Sequence, residues 1–332
     1  MLKVIEDENI VKRCQRELVR SLRPLVDAKV PVKLGHLGAS FPMRVSWSEQ
    51  LGMWFCSRKI GNTRYWNAFG VGKPIEASAI PITCEINFPI RGIDRRMGGT
   101  LAEDRIGRIF VAHRGKIGGG RRGVGKSLFE GHYRGVWTAM EDGGEENAVA
   151  LIGMLKSPRF PRQIAQFVRK IHQIKQHADP PHSTQLAIFD DMIPKEEFMG
   201  EGIDTARLDL ASLCDYGLVV RDLSAMLAGR GLRAGNDGRR DLFVVDDRGR
   251  VEFLFQIVSD PSTMALHTGI GRLMLLASEL PEKPALVLVS PALSEYGLMD
   301  GLKRLDIHHL AYEWEGSRAI FPGLGLLLSV RR

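Results

Sequence analysis

The chain of 332 residues is 44% hydrophobic and 26% charged, with a formal net charge of +7, a length that suits two domains of ordinary size. Its apolar runs, such as AVALIGML, fall far short of the roughly 20 residues a bilayer-spanning helix needs, so no membrane segment and no membrane partner is expected. The four cysteines, Cys14, Cys56, Cys84 and Cys214, form no C-x-x-C pair, which argues against a zinc knuckle or a disulfide framework and fits a reducing cytoplasm.

In chain order, Ile10, Val11, Cys14, Leu18, Leu22 and Leu25 recur at helical spacing and predict an amphipathic helix over residues 6–26. With charges of both signs it reads as a helix and not as a secretory signal. Residues 30–137 break into short β-like runs divided by glycine and proline, PVKLGHL, GMWFCSRKIG, SAIPITCEINFPI and GRIFVAHRGKIG, and predict sheet. EDGGEEN reads as an acidic turn, followed by a helix that places Ile164, Phe167, Val168, Ile171 and Ile174 on one face. The segment 177–203, with ADPPHS and DDMIPKEEFMGEG, reads as a linker. Beyond it come a helix near 218–228, the strands DLFVVDD and VEFLFQIV, a helix over 264–279, the strand ALVLVS, a helix near 295–302, and the strands HHLAYEW and SRAIF. Strands alternating with helices predict a three-layer α/β domain with a mixed sheet. The expected organisation is a basic, β-rich α+β nucleic-acid-binding domain over 1–155, a helix and linker over 156–205, and an α/β domain over 206–332.

Charge follows the same division. Residues 1–180 carry 30 Lys+Arg against 17 Asp+Glu, a balance of +13, and residues 181–332 carry 16 against 22, a balance of −6. A basic half of this size points to a polyanion, of which nucleic acid is the common one in a cytoplasm; the competing reading is a basic surface that serves solubility.

GRRGVGKS, residues 120–127, fits the phosphate-loop pattern G-x-x-x-x-G-K-S. Such a loop works by opening a helix whose N-terminus meets the phosphates. Here LFEGHYRG follows, and its glycines at 131 and 135 oppose a long helix; the Walker-B-like run LFVVDD at 242–247 belongs to the other domain. The preferred reading uses the same residues on a sugar-phosphate backbone. Residues 91–134 hold 11 Lys+Arg against four acids. Gly119 and Gly120 would bring main-chain N–H groups close, while Arg95, Arg96, Arg114, Lys116, Arg121, Arg122 and Lys126 would neutralise phosphates. A solvated glycine loop is the bland alternative. NTRYWNAFG places Arg64, Tyr65, Trp66, Asn67 and Phe69 within six residues, and aromatics beside cations can stack bases or pack a groove floor, with half-buried sheet core as the competing reading. His113 and His132 lack acidic or cysteine partners at metal-ligand spacing, so no metal site is expected in this domain.

The stretch GNDGRRDLFVVDDRGRVEFLFQIVSDPSTMALHTGIGRLMLLAS, with the later runs ALVLVSPAL and LAYEWEGSRAIFPGL, resembles the core of the PD-(D/E)XK nuclease superfamily, the fold of many restriction enzymes. The resemblance spans about residues 215–323 and implies a restriction-endonuclease-like mixed sheet flanked by helices. It places Asp241 at the first catalytic carboxylate, Gln256 at the second acid, Val258 at the lysine and Arg272 at a helix glutamine. Positions 256 and 258 share one face of a strand, so the geometry is kept while the chemistry is lost. Metal-dependent phosphodiester cleavage needs carboxylates for a hard cation and a lysine beside the attacked phosphate. The implied site, Asp241 and Gln256, is therefore degenerate and expected to be inactive, with no cofactor; Mg²⁺ enters only if Asp215, Asp222, Asp246 or Asp260 supplies a displaced acid. The charge of −6 makes this domain a poor independent DNA binder, so a homodimer or a protein partner is expected through it.

EINFPIRGIDRRMGG and HRGKIGGGRRG in turn resemble DNA-binding modules of restriction and anti-phage proteins. Together these readings give a cytoplasmic DNA-binding protein of a restriction or phage-defence type, with RNA as a possible target and a nuclease-like domain without activity. The alternatives are an active Mg²⁺-dependent endonuclease with a rearranged site and a nucleotide-binding protein acting through GRRGVGKS.

Overall fold

In the computed structural model the chain forms two compact units, Met1–Thr184 and Gln185–Arg332; residues 1–36, 39–118, 124–177, 209–237, 239–293 and 296–329 are described. Each unit is mixed α/β, with helices laid on sheets. Among the described residues no helix is long and apolar enough to cross a membrane.

The first unit opens with β1 (Leu2–Val4) and α1 (Glu8–Leu22), whose first turn is capped by the Asp7 carboxylate accepting the Ile10 N–H at 2.9 Å. A 3-10 turn at Arg23–Leu25, with Pro24 ending the helix, leads into β2 (Ala28–His36), β3 (Ala39–Ser48), β4 (Met53–Ile60) and β5 (Arg64–Val71). With β6 (Ala79–Pro81), β7 (Cys84–Glu85) and β8 (Phe88–Pro89) these make one sheet in the order β6-β2-β3-β4-β5-β7, β8 pairing with β5. The chain then builds β9 (Gly99–Glu103), β10 (Ile109–His113), α2 (Lys126–His132), β11 (Trp137–Asp142) and β12 (Glu145–Met154). These strands and β1 close a barrel in the order β1-β11-β12-β10-β9, in which only β1 and β11 run parallel. The helix α3 (Phe160–His177) follows.

One core joins these parts. Val11, Cys14, Leu18 and Leu22 of α1 meet Met53, Phe55 and Phe69 of the sheet, Leu101, Val111 and Ile152 of the barrel, and Phe160, Ile164, Phe167 and Ile171 of α3. At about 1.5–3 kcal/mol for each large apolar side chain fully buried, the α1 stripe alone anchors that helix firmly. The opposite face of the sheet has its own cluster around Val32, Leu34, Val45, Trp47, Trp54 and Trp66.

Two expectations change here. The helix assigned to the connecting segment, α3, packs inside the first unit's core, because its apolar stripe has the barrel and α1 to bury against. EDGGEEN is a turn, as the glycines suggest, but it joins a β-hairpin, β11–β12, that the pattern did not reveal. Gly143 and Gly144 both take positive φ there, a conformation glycine adopts without steric cost. The run AVALIGML is the buried end of β12, too short and uniformly apolar for periodicity to tell strand from helix.

The second unit comprises α4 (Leu210–Ala228), β13 (Arg233–Gly235), β14 (Leu242–Val245), β15 (Val251–Ile257), α5 (Thr263–Ser278), β16 (Ala285–Pro291), α6 (Tyr296–Arg304), β17 (Ile307–Glu315), β18 (Arg318–Ile320) and α7 (Leu324–Ser329). Its sheet follows chain order from β13 to β18. The pairs β15/β16 and β16/β17 are parallel and the others antiparallel. Alternation along β15 sends Phe253, Phe255 and Ile257 to the face covered by α4 and α7, and Leu254 to the face covered by α5 and α6. The helix expected near 218–228 begins two turns earlier, at Leu210 behind the Asp209 cap. Its first turns are buried nearly all round, so no amphipathic stripe marks them.

Candidate nucleic-acid interface and nuclease-like centre

Asp241 stands immediately before β14, and because Leu242 pairs with Phe255 it lies across from Gln256 of β15. The two are 3% and 1% exposed, so the residues matched to the catalytic pair do meet, in a site closed to solvent. Protein donors surround the Asp241 carboxylate. Gln256 Nε2 donates to Oδ2, the Ile257 backbone N–H donates to the same oxygen at 2.9 Å, and the Arg272 guanidinium lies 3.5 Å from Oδ1 while donating to the Arg239 carbonyl at 2.7 Å. The Tyr216 hydroxyl also donates to this carboxylate. Burial first, and then the Asp241 charge, hold that hydroxyl well above its usual range, so it remains a donor.

A hard cation needs vacant carboxylate oxygens and more than one such ligand. Asp241 offers neither. The acids that could have moved in are engaged elsewhere. Asp260 accepts the N–H groups of Asp209 and Ser262, Asp222 accepts that of Ala319, and Asp246 closes the β14–β15 turn through the N–H groups of Arg248 and Arg250. Asp215 is buried within α4. Among the described residues no group of three or more His, Cys, Asp or Glu is placed to hold a metal. The residues present thus do not fit Mg²⁺. Val258, on the same strand face as Gln256, packs under α5. A Cβ on Gly269 would lie 2.5 Å from Val258 Cγ2 and 3.6 Å from Gln256 Cγ, so helix and strand close over the position where the resemblance expects a lysine.

In the first unit the structure sorts the expected phosphate ligands by exposure. Arg114 is 8% exposed and bonds Asp142 Oδ2 through Nε at 3.2 Å and Nη2 at 2.7 Å. It is a correction to the sequence reading: this guanidinium is spent inside the barrel. Trp66 is a second correction. At 2% exposed it belongs to the cluster on the far sheet face, so no base can reach its ring, and the core alternative stands. Arg64 is half-buried with its Nε enclosed and unbonded. Arg95 donates to the Asp142 carbonyl at 2.6 Å and pairs with Glu145 at 3.1 Å.

The outward cations remain. Arg96 has its side chain 90% exposed and forks onto Asp94, Lys116 is exposed, and Lys126 is exposed and paired with Glu130 at 3.3 Å. Gly119, Gly120, Arg121 and Arg122 lie outside the described residues. Lys126 opens α2, which is seven residues long. A helix that short, with the lysine turned to its own i+4 acid, is a poor phosphate cradle. His113 is fully buried between Phe129 and Phe167, takes the Gly115 N–H on Nδ1, and has its pKa lowered to about 4 by burial.

The sequence reading passed over one feature. A concave groove of about 410 Å³ lies between α1 and the β4–β5 hairpin, lined by Arg16, Arg20, Arg23, Arg58, Lys59 and Tyr65. The i, i+4, i+7 spacing of the three arginines was the available signal. Compared with protein-family models, with curated proteins and with solved structures, the chain matches none.

Proposed function

We propose that the protein binds nucleic acid through its first unit, DNA before RNA, and that its second unit is a nuclease-like scaffold without catalysis, serving partnership or self-association in a restriction or phage-defence setting. The observation that carries the reading is the outward basic surface of residues 91–134, where Arg91, Arg96, Arg105, Lys116 and Lys126 are exposed and only four acids are present. Long-range attraction to a phosphate polymer follows from that imbalance. The saturated Asp241 carboxylate supports the second half of the reading.

Fluorescence anisotropy with labelled duplex DNA, single-stranded DNA and RNA across a salt series tests the binding. Affinity for the duplex is expected to fall linearly on a log–log plot, and the pair Lys116→Glu and Lys126→Glu to flatten the slope by about 1.8, two contacts at roughly 0.9 each. No binding to any polymer at low salt overturns the reading. Incubation with plasmid in Mg²⁺ or Mn²⁺, beside an Asp241→Asn control, tests the silence; nicking that disappears in the control would restore an active endonuclease.

A further inference from the structure

We infer that the groove between α1 and the β4–β5 hairpin is a phosphate-binding site, and that it takes successive phosphate groups of the polynucleotide whose binding is proposed above. Five cations face one concavity: Arg16, Arg20 and Arg23 from the helix side, Arg58 and Lys59 from the strand side. All five are exposed, and no acid lines the groove. Arg20 pairs with Glu17 at 2.8 Å; among the described residues the other four have no ion pair. Like charges lining one groove repel one another, a cost that an arriving polyanion removes. Guanidinium forks match phosphate oxygens in shape, and low-dielectric walls focus the field of a concave basic surface. The volume of about 410 Å³ falls within the range of small-ligand sites, roughly 300–1,000 Å³.

The groove is rigidly built from below. Gln15, buried on α1, donates to Ser57 Oγ on β4 and to Asn67 Oδ1 on β5, both at 2.8 Å, and Asn67 donates back to Gln15 Oε1 at 3.0 Å and to the Ile86 carbonyl at 2.9 Å. Asn87 Oδ1 accepts the Asn67 N–H at 2.9 Å. This amide network ties the helix to the hairpin, and the arginines of the helix side, Arg58 and Lys59 lie outside it. Tyr65, half-buried against the core, is also among the groove's lining residues. In RYWNAFG it is therefore the tyrosine, one residue before the buried tryptophan, that faces the ligand side.

The site deepens the function proposed above and can fail separately from it. The test compares the full-length protein with the triple variant Arg16→Gln, Arg20→Gln, Arg58→Gln, and with its Arg→Lys counterpart, using labelled single- and double-stranded oligonucleotides and, in a second arm, pyrophosphate and ATP. Circular dichroism and melting confirm that all three are folded, as fits replacement of exposed side chains outside the amide network. The triple Gln variant is expected to lose at least tenfold in oligonucleotide affinity at low salt and to flatten the salt slope by about 2 to 3, with the Lys variant retaining most of the slope. Pyrophosphate and ATP are expected to bind only weakly, since each offers few phosphates. If the wild type binds oligonucleotides and the Gln variant keeps its slope, the groove inference is overturned and the broader reading survives. If the wild type ignores polynucleotides but binds pyrophosphate or ATP, and the variant does not, the groove stands as a phosphate site for a free nucleotide and the broader reading falls. If the wild type binds none of them, both fall.

Discussion

Arg114 and Asp142 form a buried pair inside the barrel, and the energetics of such pairs are asymmetric. Two charges taken out of water roughly offset their own desolvation, whereas one left alone does not. Asp142 also holds Arg95 through its carbonyl and through its carboxylate, at 3.8 Å from Nε. Asp142→Ala is therefore expected to lower the free energy of unfolding by about 3–5 kcal/mol, read by chemical denaturation, and the double replacement Arg114→Met with Asp142→Leu to recover much of it. His113 makes the second residue-level prediction. Burial lowers its pKa from the usual 6.5 to about 4, so the unfolded chain binds the proton more tightly than the folded one. Above pH 6.5 neither state is protonated and the histidine contributes nothing to pH dependence. As pH falls from 6.5 towards 4 the unfolded state gains the proton first, and stability drops by about 3 kcal/mol by pH 4. Denaturation curves of the wild type and His113→Gln over pH 7 to 4 check this; equal pH slopes would refute it. Burial likewise pushes the thiols of Cys56 and Cys84 up to about 12, so both stay protonated at neutral pH.

At the scale of elements, the contact between α5 and β15 depends on the missing side chain at Gly269. A methyl group there would lie 2.5 Å from Val258 Cγ2, closer than packed atoms tolerate, so the helix must lift or Val258 must rotate. Gly269→Val is expected to cost about 1–3 kcal/mol and to loosen Gln256, whose Cγ lies under the same position. Elements were also the best-read level of the sequence. The α1 stripe, α5 and α6 follow from the 3.6 period of a helix with one buried face and β14 from the alternation of a strand, whereas β15 and β16 are largely apolar runs bounded by turn residues. The hairpin β11–β12 escaped because the buried face of β11 carries Thr138 and Asp142 beside Met140 and the end of β12 is an unbroken apolar run, while the first turns of α4 are buried on most sides; none of these shows a period of hydrophobicity.

For the whole molecule, the absence of a carboxylate at position 256 and the donors around Asp241 lead to one thermodynamic expectation. A ligand stabilises the folded chain only in proportion to its occupancy of a folded site. Millimolar Mg²⁺ or Mn²⁺ is expected to leave the melting temperature within about 1 °C of the value in chelator at matched ionic strength, whereas a metal-loaded nuclease centre would raise it by several degrees, at roughly 2–4 °C per kcal/mol for a chain of this size.

The sequence by itself determined the two-part charge division, most of the helices and strands, and the amide and the valine at positions 256 and 258. Those are properties of composition and of local periodicity, which the backbone reads without help. Only the tertiary structure decided which cations are available. Arg114 meets an acid 28 positions away and is buried, while Lys116, two residues on, is exposed. Trp66 faces a core, and Tyr65 the groove. The groove itself joins α1 to a hairpin some 42 positions distant. Whether a charged side chain is spent or free depends on its partner across such separations, and no local pattern records that partner.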